Sequence, residues 1–260
     1  MIMKKVLLQC LTGIALLAAS CSSSTDENGI MLSDYGTIEL GVKANTGFQA
    51  NARAVTESEY TQTDNYTVQI LQDDAVKQSF TYSKRPEKIT LPNGSYVLKA
   101  FYGTETEASR DKFLMTGSTP FTIQGKDQAV TVDCKPTCGK SVVKFATAEM
   151  DKFFNDYYVV YETEALKAKD GNATWAKADT EPWYVKLNPA GEEVKATIHY
   201  VRTSDGKQQT QAVTYTMKPD QKWTLNIKPK NDSGDLGIDI TIDESTNDKD
   251  ITIDIPSEWL

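Results

Sequence analysis

Residues able to do chemistry are sparse in this sequence. It holds one histidine, His199, set in Lys195-Ala196-Thr197-Ile198-His199-Tyr200-Val201, where it alternates with Ile198 and Tyr200 in the period of a β-strand. A Ser-His-Asp triad would have to run through that one ring, and neither Gly-x-Ser-x-Gly nor His-Glu-x-x-His occurs. Paired carboxylates carry glycoside hydrolysis. A chain with 36 acidic residues always brings some pair together, so that signal is uninformative. Residues 231–237 and 243–250 are acidic loops whose spacing departs from that of an EF-hand calcium loop. These patterns predict a chain that is not an enzyme, with no catalytic residue, no metal site and no cofactor.

Two further groups have the right residue types for chemistry. Cys134 and Cys138 bracket Lys135-Pro136-Thr137, a turn-prone stretch, so either a disulfide or two free thiols fits. A metal site would need more soft ligands than the sequence places nearby. Trp175, Trp183 and Tyr184 lie in or beside the polar stretch 167–182. Exposed rings of this kind stack on sugars, with neighbouring polar groups fixing orientation. Rings of this kind more often bury themselves at the edge of a β-sandwich, and that is the leading expectation for these three.

The elements that must position these groups have a period of two. Thr37-Ile38-Glu39-Leu40-Gly41-Val42-Lys43-Ala44 alternates, as do Tyr66-Thr67-Val68-Gln69-Ile70 and Gln78-Ser79-Phe80-Thr81-Tyr82. Alternation sends one set of side chains to a core and the other to water. Turn signals separate the runs: Pro92-Asn93-Gly94, Gly125-Lys126-Asp127, Asn188-Pro189-Ala190-Gly191 and Lys218-Pro219-Asp220. Asp205-Gly206 between two alternating runs predicts a tight hairpin with positive φ at both central positions. Thr147 to Tyr157 departs from the pattern. Met150, Phe153, Phe154 and Tyr157 fall at i, i+3, i+4 and i+7, which predicts one short helix capped by Thr147 and packed on a sheet. The composite expectation is an all-β chain of two β-sandwich units, residues 35–138 and 139–260, with the boundary near Cys134 to Lys140.

The N-terminus reads as an export signal. Lys4 and Lys5 precede an apolar stretch from Val6 to Ala19, too short to span a bilayer, which takes roughly 20 residues. Leu17-Ala18-Ala19-Ser20-Cys21 then resembles a bacterial lipobox, although the usual leucine position holds Ala18. The resemblance implies cleavage before Cys21 and a diacylglycerol on its sulfur. Residues 1–20 would be the signal peptide and 21–34 a flexible polar tether. Each buried acyl CH₂ contributes about 0.8 kcal/mol, so two or three chains hold a protein on a membrane almost permanently. Asp26-Glu27 resembles the acidic export signal of surface lipoproteins in Bacteroidota, which implies the outer face of the outer membrane. The full chain carries 28 basic and 36 acidic residues, a net −8. Losing Lys4 and Lys5 leaves 26 against 36, or −10, which argues against nucleic acid and anionic headgroups as partners.

Leu91-Pro92-Asn93-Gly94-Ser95-Tyr96-Val97-Leu98-Lys99-Ala100 resembles a strand entry of fimbrillin-like lipoproteins of Bacteroidota. Ala129-Val130-Thr131-Val132-Asp133-Cys134, Lys140-Ser141-Val142-Val143-Lys144-Phe145 and Phe153-Phe154-Asn155-Asp156-Tyr157 resemble a DUF4493-type lipoprotein family of unknown function from the same bacteria. The resemblance implies two transthyretin-like sandwiches and a role in cell adhesion or as a fimbrial anchor or tip, with fimbrial subunits as partners. It also implies a protease site at Arg53, after the first strand. In such pilins the strand released there is replaced by the tail of the next subunit. Ile251-Thr252-Ile253-Asp254-Ile255 alternates and could be such a tail, or the last strand of this chain's own sheet, paired with residues 237–242. The competing expectation is a glycan-binding lipoprotein of a polysaccharide-uptake system, using Trp175, Trp183 and Tyr184.

Overall fold

A computed structural model describes residues 33–48, 57–232, 235–244 and 251–253. Cys21 and Arg53 lie outside these residues. The chain is built from strands, as its period of two predicts. In order they are β1 (Tyr35–Ala44), β2 (Thr67–Gln72), β3 (Ala75–Thr81), β4 (Ile89–Pro92), β5 (Gly94–Gly103), β6 (Ala108–Ser109), β7 (Leu114–Ile123) and β8 (Gln128–Pro136). There follow β9 (Cys138–Phe145), β10 (Phe154–Glu162), β11 (Ala173–Ala176), β12 (Trp183–Lys186), β13 (Glu192–Arg202), β14 (Gln208–Met217), β15 (Lys222–Asp232), β16 (Asp235–Glu244) and β17 (Ile251–Ile253).

The strands up to β8, apart from β6, form one sheet in the order β3-β2-β5-β7-β8-β1-β4. It folds on itself at one corner, where β7 and β8 share only Met115↔Pro136 and Thr116↔Lys135. Gly117 stands beside that corner, where an added Cβ would collide with the backbone carbonyl of Asp133. Ile38, Leu40, Val42, Ile89, Leu91, Val130 and Val132 on one layer meet Val68, Ile70, Leu98, Ala100 and Met115 on the other. Burying each of the larger side chains stabilises the fold by about 1.5–3 kcal/mol. The β2–β3 hairpin turns on Asp73 and Asp74, both at positive φ (50° and 60°), the geometry of a two-residue primed turn.

The second core lies between a four-stranded sheet, β11-β10-β13-β14, and a six-stranded one, β17-β16-β15-β9-β12-β6. Tyr157, Val159 and Tyr161 of β10, Ile198 and Tyr200 of β13 and Val213 and Tyr215 of β14 share it with Leu225, Ile227, Ile238, Ile240 and Ile242. Tyr215 and Trp223 stack across it at 4.6 Å. The short β6 comes from the first half of the chain and forms an edge of the second half's sheet, with Ser109 opposite Tyr184 and Ala108 opposite Val185.

Three local expectations are corrected. The stretch from Thr147 to Tyr157 makes a single helical turn, α2 (Thr147–Met150), whose N-cap is Ala146 and not Thr147, with no side-chain cap. Phe154 and Tyr157 reach the core from strand β10, across a register shift between Phe154 and Asp156. A bulge adds one residue to a period of two, so inward side chains three apart imitate helical spacing. In place of one short helix there are three one-turn α-helices among the described residues, α2, α1 (Glu57–Tyr60) and α3 (Glu164–Lys167), beside two 3-10 turns at Thr63–Asn65 and Tyr82–Lys84. The β13–β14 connection has positive φ at Gly206 but not at Asp205. Instead the Arg202 side chain donates to both oxygens of Asp205 at 3.2 and 2.6 Å, which holds a longer turn.

Candidate functional site

β9 and β12 are buried on both faces, and this brings the two cores together. Alternation turns Val185 and Val143 into the second core, and Tyr184 and Cys138 into the first. Lys140, two residues beyond Cys138, faces the same way and is buried. Its ammonium donates to Glu57 Oε1 at 2.6 Å, and the Tyr184 hydroxyl donates to the same oxygen at 2.7 Å. Glu57 opens α1 and is itself buried. A buried lysine or glutamate without an opposite charge is strongly disfavoured, so each fixes the other. Burial pushes the Tyr184 phenol well above its ordinary pKa, and the Glu57 carboxylate pushes it further in that direction.

The described residues on either side of positions 49–56, Phe48 and Glu57, both stand at this cluster. On the N-terminal side the Phe48 ring lies 5.8 Å from those of Phe113 and Tyr184. On the C-terminal side Glu57 is held by Lys140 and Tyr184. Tyr60, one helical turn on, stacks on Phe113 at 3.9 Å, and its hydroxyl accepts from the Phe113 amide at 3.2 Å. Arg53 itself lies outside the described residues, but both roots of its segment are anchored to one aromatic cluster. Upstream of it, β1 pairs with β8 in parallel from Ile38↔Gln128 to Ala44↔Cys134, and with β4 on the other side. It is an interior strand.

Cys134 and Cys138 are free and buried. No disulfide joins them: Cys134 lies in β8 opposite Ala44, and Cys138 lies in β9 opposite Lys186. Burial pushes the Cys134 thiol up to about 12, with Asp133 adding to the effect, and burial pushes Cys138 up as well. Neither supplies a thiolate near neutral pH.

The three aromatic residues proposed for sugar stacking do not form a platform. Trp175 is 1% exposed and Tyr184 2%, in different cores. Trp183 is half-buried, and a residue that sequence reasoning missed covers its face. The Arg110 guanidinium, carried beside β6, sits 4.3 Å from the Trp183 ring and 5.4 Å from that of Trp175. It also bonds to the Asp179 carboxylate and to the carbonyls of Thr174 and Glu181. A cation inserted from 65 residues upstream of Trp175 leaves no signal in local sequence. His199 lies on the outer face of the four-stranded sheet, stacked on Tyr158 at 4.6 Å. Among the described residues no group of three His, Cys, Asp or Glu side chains is placed to hold a metal ion. No described helix is long and apolar enough to cross a membrane.

The C-terminal strand pairs within its own sheet. β17 runs antiparallel to β16, with Ile240↔Ile253, Thr241↔Thr252 and Ile242↔Ile251.

Fold and site together define an all-β protein with two cores, fastened across a shared wall by one buried ion pair and by an arginine set among tryptophans. The chain belongs to the family described as Domain of unknown function (DUF4493), whose model matches residues 34–257. No functionally curated protein matches it. Among solved structures it is similar to a fimbrial assembly protein from Parabacteroides distasonis, with 10% identity over 85% of this chain and 99% of that one and a TM-score of 0.43. It is also similar to the fimbrial anchor protein Mfa2 from Porphyromonas gingivalis, with 11% identity over 81% of this chain and 98% of that one and a TM-score of 0.38.

Proposed function

We propose that this protein is a non-catalytic surface lipoprotein, held in the outer membrane by acyl chains on Cys21, that serves in adhesion or as an anchor-like or tip-like fimbrial component. Residues 21–34 would be its leash, and 35–138 and 139–260 its two β-sandwich units. At the end of that leash the Asn93 amide already donates to the carbonyl of Asp34 at 2.9 Å. The observation that carries the reading is the in-chain pairing of β17 with β16. A stalk subunit has to give up its terminal strand to a neighbour. A subunit whose last strand completes its own sheet suits the end of an assembly, or a standalone adhesin. β1 is interior, with Ile38, Leu40 and Val42 buried, so its loss would open a groove in the first sheet. The N-terminal signature supports the anchor, and the resemblance to fimbrillin-like lipoproteins supports the partner class. The burial of Trp175 and Tyr184, with Arg110 over Trp183, removes the feature that favoured glycan uptake.

A deletion strain complemented with wild type or Cys21→Ala tests this. Wild type should be shaved from intact cells by external protease and should restore attachment or fimbriation. Cys21→Ala should be lost from the outer membrane. Retention of the alanine variant on the surface, or a deletion with unchanged attachment and fimbriae, would contradict the proposal.

A further inference from the structure

We infer that the free edge of β14 is a self-association surface, where a second copy of this chain adds its own β14 as an antiparallel neighbour. β14 is bonded to β13 along its length, from Glu192↔Met217 to Val201↔Gln208, and no described strand lies on its other side. Such an edge presents unpaired N–H and C=O groups to any strand that fits. Sheet proteins normally blunt these edges by keeping them short, or with charge, proline or a bulge. The other described edges follow that rule. β4 has 4 residues and ends in Pro92, β11 has 4, β6 has 2 and β17 has 3. β3 has 7 residues but carries Lys77 and pairs with β2 through a register shift. β14 has 10 residues, Gln208-Gln209-Thr210-Gln211-Ala212-Val213-Thr214-Tyr215-Thr216-Met217, without a charge, a proline or a glycine.

The chemistry of the strand selects a second copy as occupant. The chain carries a net −8, so two copies repel except where their facing surfaces are uncharged. The side chains of Gln208, Thr210, Ala212, Thr214 and Thr216 are exposed, while Val213, Tyr215 and Met217 are buried. A two-fold axis through Ala212 sets Thr210 opposite Thr214 of the second copy and Gln208 opposite its Thr216. Every outward residue then faces an outward one, as a shared sheet requires. Cross-strand threonine pairs are favourable, and no like charges meet. Lys207 and Lys218-Pro219 bracket the strand and confine the pairing to it. This association needs no cleavage at Arg53 and no exchange of the terminal strand, so it stands apart from the function proposed above.

The test uses the full chain in its own cells carrying Ala212→Cys, treated with a short thiol-to-thiol cross-linker; the native Cys134 and Cys138 are buried. The expected product is a covalent dimer of the chain. Adding Thr210→Glu and Thr214→Glu crowds like charges about the axis and should lower dimer yield about tenfold or more. In the single copy these positions lie opposite His199 and Lys195 of β13, so thermal unfolding and protein level should not change. Val76→Cys, an exposed position on β3, should stay monomeric. The inference is overturned if Ala212→Cys stays monomeric, if it cross-links to a different protein, if the glutamates leave dimer yield unchanged, or if Val76→Cys dimerises equally.

Discussion

The same three ingredients, a cation, a carboxylate and an aromatic ring, fasten the two halves of this protein at two places with very different consequences. At Lys140–Glu57, with Tyr184 on the same oxygen, the charged side chains are 3% and 9% exposed. At Arg110–Asp179, with Trp183 beneath, they are 27% and 33% exposed. Water repairs the loss of a partner in the second and cannot in the first. Breaking a buried pair strands a charge, whereas an exposed pair contributes little beyond the surface its atoms cover. The buried fastening therefore fixes where the Arg53 segment is rooted, and the exposed one seals a seam.

The largest expected effect comes from Lys140→Ala, which leaves Glu57 buried and unpaired. Chemical denaturation should show about 3–5 kcal/mol lost. The double variant Glu57→Gln with Lys140→Met should recover more than half of that loss, since it strands no charge. A double variant as unstable as Lys140→Ala would show that packing, not charge, decides this site. Next comes Tyr184→Phe, which keeps the ring in the first core but removes one of the two donors to Glu57 Oε1. It should cost about 1–3 kcal/mol in the same experiment. Arg110→Ala should cost less, about 1–2 kcal/mol, from a solvent-screened pair and a ring contact. It should also uncover Trp183 and shift tryptophan emission to longer wavelength, a readout that Lys140→Ala does not share while folded.

The smallest effect is a pH dependence at an exposed pair. Bonds from Lys177 and from the Tyr157 hydroxyl hold the Asp151 carboxyl below its ordinary pKa. A depressed carboxyl stabilises the fold above its unfolded pKa, roughly 3.9, and loses that contribution as pH falls through its folded value. The melting temperature of wild type should slightly exceed that of Asp151→Asn at neutral pH. The gap should close as pH drops below about 4. A gap that widens in acid would contradict the assignment.

Much of this architecture was legible because β-strands write their burial into sequence locally. The alternation of Thr37 to Ala44 becomes β1, the runs around Asp205-Gly206 become β13 and β14, and the last isoleucine run becomes β17 against β16. Reading failed where an irregularity mimicked another period, as at Phe154 and Tyr157, where a bulge restores inward facing after three residues. At Trp175, Trp183 and Tyr184 burial at a sandwich edge was the leading expectation, and Trp175 and Tyr184 are buried. What the sequence could not show is Arg110, delivered over Trp183 by an arm of the first half. The Lys140–Glu57 pair spans 83 positions, and nothing near either residue announces its partner.

The proposed role needs a chain left uncut at Arg53 and tied to a membrane through Cys21. Intact-mass and N-terminal peptide mass spectrometry of the protein from its own cell envelope tests this most directly. The expected result is one species beginning at an acylated Cys21 and retaining Arg53. A mature chain that begins at Ala54, or one that begins at an unmodified residue 21, would contradict it.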